Sequence, residues 1–280
     1  MPQDHAARVR ELFELTPTEP DTFRTVPRRR AGSGPPGWGR VGPPRLFGGQ
    51  VASQALCAAW RTVKVDHDVN SLHAYFLRPG RYGEPVDYVV DRIRDGTSFT
   101  TRRVVAVQGG DAILNLDASF HRDEPGDADQ PVAPLAAAGA PEGGVEPDDP
   151  PWMRGRPLEV RAVPGTPPGV SMRWVRVPAP LPDDPMLHAA MLTFLSDMGP
   201  VGVVAQSLGG PRQGRMMASL DHCLWFHHPA RADEWLLYVL EPVVAARARG
   251  VARGSLWTRD GRLAVSLVQE VLARPRRVPS

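Results

Sequence analysis

The alternation of apolar and polar positions divides this chain into a helix-and-strands unit that occurs twice. In Gly48–Val63, "GGQVASQALCAAWRTV", Val51, Ala55, Ala59 and Thr62 fall near one face of a helix, and Ala52, Leu56, Trp60 and Val63 widen the stripe. The period then changes to that of strands. Ser71–Gly80, Pro85–Ile93, Phe99–Gln108 and Ala112–Arg122 read as strands, separated by turn signals such as Asp95-Gly96 and Gly109-Gly110. A second helix is predicted to begin at Pro185 with Asp184 as its cap. It carries Leu187, Met191, Phe194 and Leu195 at helical spacing and stops at Gly199-Pro200. Strands are again predicted at Met217–Pro229, Glu234–Ala245, Gly250–Thr258 and, after an Asp260-Gly261 turn, Leu263–Arg274. Pro79 and Pro229 stand 150 residues apart, and Arg122 and Arg274 stand 152 apart. A repeat of this size means two similar subdomains, each an antiparallel sheet with a helix lying on it, in an α+β chain.

Between the two units the pattern fails. Residues 123–157 hold Pro125, Pro131, Pro134, Pro141, Pro147, Pro150, Pro151 and Pro157 among glycines and acids, a composition that propagates neither helix nor sheet. The chain therefore divides into a first unit at 1–122, a linker at 123–157 and a second unit at 158–280, with the linker expected to cross on the outside.

Composition narrows the function classes. The 280 residues are 42% hydrophobic and carry a formal net charge of +2, so nothing in the overall charge calls for nucleic acid or a polyanionic surface as partner. The two cysteines, Cys57 and Cys223, sit in apolar patterns and are expected to be buried free thiols, which suits a reducing compartment. No uninterrupted apolar run is read as a membrane span and the N-terminus has no signal-peptide core, so a soluble cytoplasmic protein is expected. A longer Arg-, Gly- and Pro-rich stretch, Arg28–Pro44, precedes the first helix and is a candidate to shape a pocket entrance.

One position breaks the apolar pattern where chemistry is plausible. Leu263, Val265, Leu267, Gln269 and Val271 share a strand face, and only Gln269 is polar. A buried amide left unpaired costs on the order of 1–3 kcal/mol, so Gln269 needs partners. It can bond a strand-end backbone group, or hold a water beside a carboxylate. Asp197 is expected at the C-terminal end of the second helix, where the dipole disfavours an anion by roughly 0.3–1 kcal/mol. Burial would make it a stronger base; a surface Asp in a helix-stop turn is the plainer alternative.

The stretches "RLFGGQVASQAL", "SLHAYFLRPG" and "RDGTSFTTRRVVAVQ" resemble the N-terminal half of the acyl-CoA thioesterase II family, and "LSDMGP", "ASLDHCLWFHHP", "ADEWLLY" and "QEVLAR" resemble its C-terminal half. The resemblance runs from about Arg45 to Arg274, interrupted by the linker. It implies a double hotdog fold, two tandem units each with a helix wrapped by an antiparallel sheet. It also implies hydrolysis of acyl-CoA thioesters, with an acyl-CoA or related acyl thioester as substrate and no cofactor or metal. The family's water-activating Asp, Thr and Gln fall on Asp197, Ser219 and Gln269. Ser219 departs from the usual Thr: it keeps the hydroxyl and loses the methyl that restricts χ1. Gly48 and Gly49, ahead of the first helix, are candidates for substrate binding through backbone N–H groups at a helix N-terminus. His73 is a further candidate at the interface between halves, on the strand corresponding roughly to that of His222. No nucleic acid, no membrane and a homo-oligomer complete the expectation.

Three rival signals remain. His222, His227 and His228 suggest a metal, but adjacent His227 and His228 point to opposite strand faces, which is poor ligand geometry. "VVAQSLGG" places Ser207 in an approximate nucleophile elbow, which requires a strand, a sharp turn and a helix; a loop between helix and strand is expected there instead. A non-catalytic hotdog that binds acyl thioesters is the third.

Overall fold

The computed structural model describes residues 5–25, 45–145, 157–210 and 214–275. The Arg28–Pro44 stretch lies outside the described residues.

The repeat read from the sequence is a topological one. The first unit contains α1 (His5–Leu12), β1 (Leu15–Glu19), β2 (Thr22–Thr25), α2 (Gly48–Trp60), β3 (His67–Phe76), β4 (Asp87–Asp95), β5 (Phe99–Gln108) and β6 (Asp111–Arg122). After the short α3 (Leu135–Ala138), the second contains β7 (Glu159–Ala162), β8 (Ser171–Arg176), α4 (Pro185–Ser196), α5 (Pro200–Ser207), β9 (Arg215–Ser219), β10 (Asp221–Phe226), β11 (Leu236–Ala246), β12 (Arg249–Thr258) and β13 (Leu263–Pro275). All form one antiparallel sheet in the order β1-β2-β4-β5-β6-β3-β10-β13-β12-β11-β8-β7, with β9 added on β13. The order reads alike outward from its centre. There β3 and β10 pair, His73 opposite Cys223 and Leu72 opposite Leu224, so the sheets of the two halves are continuous.

Helices α2 and α4 lie side by side beneath this sheet, and one hydrophobic cluster takes Leu56, Leu72 and Leu116 from the first half with Met191, Leu195 and Leu224 from the second. Sharing one core makes the halves interdependent for folding. α4 starts as its sequence dictates: the Asp184 carboxylate accepts from the backbone N–H groups of Met186 and Leu187, and Pro185 takes the first helical position, where no N–H is needed.

Several expectations are corrected. The segment expected to be a loop, Val203–Gly210, is mostly helix. Gly199, at φ 134, breaks the chain direction, and Pro200 opens α5, which buries Val203, Val204 and Ala205. With α4 it makes a 23-residue apolar stretch, Pro185–Ser207, long and apolar enough to cross a membrane by length and composition; its most apolar 18-residue window is 83% buried within this fold. The single strand expected over Met217–Pro229 is two, β9 and β10, broken at Leu220. The hairpins β1–β2 and β7–β8 have no counterpart among the expected elements. In the linker, α3 and a 3₁₀ turn at Pro141–Gly143 form after all, and Ala133, Leu135 and Ala138 pack on the outer-face cluster of Trp174, Trp235, Leu237 and Trp257. Gln130 ties the linker down by donating to the Gly261 carbonyl at 2.7 Å and accepting from Leu263 N–H at 3.0 Å. Cys57 is buried and free, its thiol pushed up to about 12 by burial; Cys223 is free but only half-buried, because it faces outward beside His73.

Candidate active site

The end of α4 and the start of α2 meet across the two halves. Asp197 is the C-cap of α4 and is buried. Its Oδ2 accepts from the Gly49 N–H at 2.7 Å, a contact between residues 148 apart in sequence. Phe47, the N-cap of α2, supplies no side-chain cap, so Asp197 serves as the cap from the other half. The unfavourable dipole of its own helix is thus opposed by the favourable one at the N-terminus of α2, a term of similar size, about 0.3–1 kcal/mol. The two glycines make the approach possible. A Cβ on Gly49 would stand 2.9 Å from Asp197 Cβ and 2.9 Å from the Phe194 carbonyl oxygen, and one on Gly48 would stand 3.0 Å from Asp197 Oδ2. This corrects the role first read for Gly49. Its N–H is given to Asp197, while Gln50 and Val51 donate theirs to the Phe47 carbonyl.

Gln269 is wholly buried on β13 among Val265, Leu267 and Val271, as the alternation implied. Its Nε2 donates to Ser219 Oγ at 2.7 Å. The break in the neighbouring strand makes that contact. The Asp221 carboxylate accepts from Glu270 N–H at 2.6 Å, and Leu220 N–H donates to the Glu270 carbonyl at 2.9 Å. The ladder is staggered there, leaving Ser219 opposite Val271 at the end of β9. The Leu220 carbonyl in turn accepts from Phe76 N–H at 2.9 Å, and the Phe76 ring lies against Gly48, where Asp197 Oδ2 also sits.

A second path joins the same groups from below. His222 is completely buried on β10, and its Nε2 lies 2.7 Å from the hydroxyl of Ser196, the residue before Asp197. The Tyr238 hydroxyl donates to the Ser196 carbonyl. Burial pushes the His222 imidazole down to about 4, with the Gln269 amide acting in the opposite direction, so His222 is neutral near pH 7. Burial likewise raises the Tyr238 hydroxyl well above its ordinary value, with the Asp197 charge adding to it.

Of the three residues expected to form one cluster, Gln269 and Ser219 are hydrogen-bonded to each other, while Asp197 is bonded to Gly49. Ser196 and Tyr238 are not among the residues expected, and His222 is expected only as a structural or interface histidine. The inward periodicity of His222 with Leu224 was a signal for its burial. His73 does not join the site. It faces the opposite side of β3 from Leu72 and Ala74, is exposed, and packs edge-on against Trp225 with ring centroids 5.2 Å apart. The inward residue corresponding to His222 is Leu72, one step away. Ser207 closes α5, where its hydroxyl donates to the Val204 carbonyl at 2.9 Å, which is not the strand-turn-helix of a nucleophile elbow. Among the described residues no group of three or more His, Cys, Asp or Glu side chains is arranged to hold a metal ion.

Comparison with known proteins bears on this arrangement. Residues 34–121 match the family model of the acyl-CoA thioesterase N-terminal domain, and residues 125–273 that of the acyl-CoA thioesterase C-terminal domain. The chain is 36% identical to acyl-coenzyme A thioesterase 8 of Mus musculus over 260 residues, 82% of this chain and 80% of that protein. It is similar to the crystal structure of acyl-CoA thioesterase II TesB2 from Mycobacterium marinum, with a TM-score of 0.81 and 35% identity over 98% of this chain and 99% of that one. A hot dog fold protein from Alicyclobacillus acidocaldarius, at 21% identity, shares the fold with a TM-score of 0.76 over 98% and 99% of the two chains.

Proposed function

We propose, for a chain that belongs to the acyl-CoA thioesterase II family and hydrolyses acyl-CoA thioesters to free acid and CoA, that Ser219 and Gln269 hold the attacking water and Asp197 takes its proton. The observation that carries this reading is the placement of Asp197, a buried carboxylate held at the N-terminus of a helix from the other half. A base there is oriented by its Gly49 hydrogen bond and shielded from bulk water. Gln269 donates to the Ser219 oxygen, which turns the serine's own proton outward to a water. The water keeps one lone pair for the acyl carbon and one proton for Asp197.

In the first step the water oxygen bonds to the thioester carbon, its proton passes to Asp197, and the carbonyl becomes an oxyanion. The start of α2 is the positive end of a helix dipole, and Gly48, with no side chain to block access, offers a first-turn N–H for that charge. In the second step the C–S bond breaks. The oxyanion re-forms the carbonyl as that bond breaks, and the departing CoA thiolate, the conjugate base of a thiol of pKa about 8.5 by analogy with free cysteine, takes the water-derived proton from Asp197 and restores its carboxylate. The products are the acid and CoA, and no acyl group is attached to the protein. The proposal extends to a lipid-derived acyl group, a homo-oligomer and a cytoplasmic location; the free thiols of Cys57 and Cys223 support a reducing compartment.

Single turnover in ¹⁸O-labelled water, with enzyme in excess over an acyl-CoA, tests direct attack. The reading expects one ¹⁸O in each acid molecule from the first turnover and no acyl adduct in the mass of quenched protein. Unlabelled acid in that turnover, or an acylated Asp197, would replace it with a covalent route.

A further inference from the structure

His222 has no part in the chemistry just described, yet it lies buried between Ser196 and the strand that carries Gln269. Cys223 and Val268 are paired across β10 and β13. One residue further along each strand, His222 and Gln269 are cross-strand neighbours on the buried face, where facing Cβ atoms stand about 4.5–5.5 Å apart. Both are wholly buried. Among the described residues, His222 Nδ1 and Gln269 Oε1 are buried polar atoms without a hydrogen-bond partner. On the other side of the ring, Nε2 meets Ser196 Oγ at 2.7 Å. A neutral imidazole carries one proton, and the serine hydroxyl carries one. If Ser196 turns its proton to the Thr193 carbonyl, 2.8 Å away, Nε2 must be the protonated nitrogen, and a bare Nδ1 then faces the Gln269 oxygen, acceptor against acceptor. If Ser196 donates to Nε2, Nδ1 carries the proton and both buried atoms are satisfied.

We propose that His222 is a positioning residue for Gln269: held by Ser196 in its Nδ1–H tautomer, it donates to Gln269 Oε1 and so points the amide nitrogen at Ser219. The result is a directed chain from Ser196 through His222 and Gln269 to Ser219, each group donating to the next. Without it the amide is free to turn round, offering its oxygen to Ser219 and taking up the hydroxyl proton meant for the water. Burial keeps the imidazole neutral, which the chain requires. The inference rests on the water-positioning role of Gln269.

Two variants separate the two nitrogens. In His222→Asn the side-chain amide places an N–H where Nδ1 stands, and in His222→Gln the amide reaches the Nε2 position only. Thiol release should show kcat falling about tenfold or more in His222→Gln with KM little changed, and largely recovered in His222→Asn. In a Gln269→Ala background His222→Gln should cost nothing further. ¹⁵N spectra of histidine-labelled wild-type protein, assigned by the loss of one ring in His222→Asn, should show Nδ1 protonated, with a changed Nδ1 signal in Gln269→Ala. Equal activity of the Asn and Gln variants, full additivity with Gln269→Ala, or an Nε2–H ring would each overturn the inference. If Gln269→Ala itself turns over like wild type, the water-positioning reading falls and this inference with it. If Gln269→Ala is inactive while His222→Gln matches wild type, only the role of His222 falls.

Discussion

The two halves share one topology and differ at the places where chemistry would occur. At the inner face of the first half, Leu72 on β3 pairs with Ala118 on β6. At the same place in the second half stand His222 and Gln269. The helix ends differ in the same sense. The C-cap of α4 is Asp197, reaching the N-terminus of α2, whereas the C-cap of α2 is Arg61, which donates to the Leu15 carbonyl at 2.6 Å and lies over the Phe23 ring. The N-terminus of α2 is open, built of two glycines and capped from outside; that of α4 is closed by its own Asp184 and Pro185. The repeat thus supplies two equivalent frames, and a handful of residues makes one of them polar, with the proposed site, and the other an apolar core.

Installing the pair of the first half in the second should produce the largest change. His222→Leu with Gln269→Ala should lower turnover by about 10²–10⁴-fold, the range of acid–base and water-positioning groups. Ser196 and Ser219 lose these partners and the shorter alanine leaves a space, so thermal unfolding should show a loss of about 1–3 kcal/mol, with the fold retained. A double variant with wild-type turnover would mean that the polar pair is only structural. Gly49→Ala should come next. Its Cβ meets Asp197 and the Phe194 carbonyl, so the helices must part, with turnover reduced about 10²-fold by misplacement of the base and stability lowered by about 1–3 kcal/mol. Unchanged activity in Gly49→Ala would show that the close approach of Asp197 is dispensable. The smallest effect belongs to the other helix start. Asp184→Ala removes two hydrogen bonds from the α4 cap and should cost about 1 kcal/mol in unfolding while leaving kcat within twofold of wild type. A large fall in kcat without loss of stability would make the two helix starts equivalent after all.

What could be read in the sequence follows the range of the interactions. α2, the start of α4 and the buried face of β13 are local, set by periodicity and capping over a few residues, and Gln269 stood out because it interrupts such a period. α5 was missed because Gly199-Pro200 signals a stop; that Pro200 also opens a new helix depends on a sheet surface for Val203 and Val204 to cover. The hairpins β1–β2 and β7–β8 are short, and Pro17 lies within β1, so they lack a clean alternation; they form because the edges of a large sheet accept them. That Asp197, Ser219 and Gln269 act as one set is implied only by the family resemblance; Gln269 alone is marked by local periodicity. The hydrogen bond from Gly49 to Asp197 spans the two halves, and nothing local to either residue encodes it. His73 was misplaced by one residue, and in a strand one residue is the difference between the two faces.

Whether Asp197 acts as a base, as proposed, or only as a cap for α2 is decided by one substitution. Asn in its place retains an oxygen able to accept from Gly49 N–H, so the cap survives while the proton acceptor is lost. Purified Asp197→Asn should be compared with wild type in one experiment that measures both thiol release from an acyl-CoA and its equilibrium binding. The account predicts turnover reduced to background, with binding and thermal unfolding close to wild type. Turnover at the wild-type rate in Asp197→Asn would contradict it.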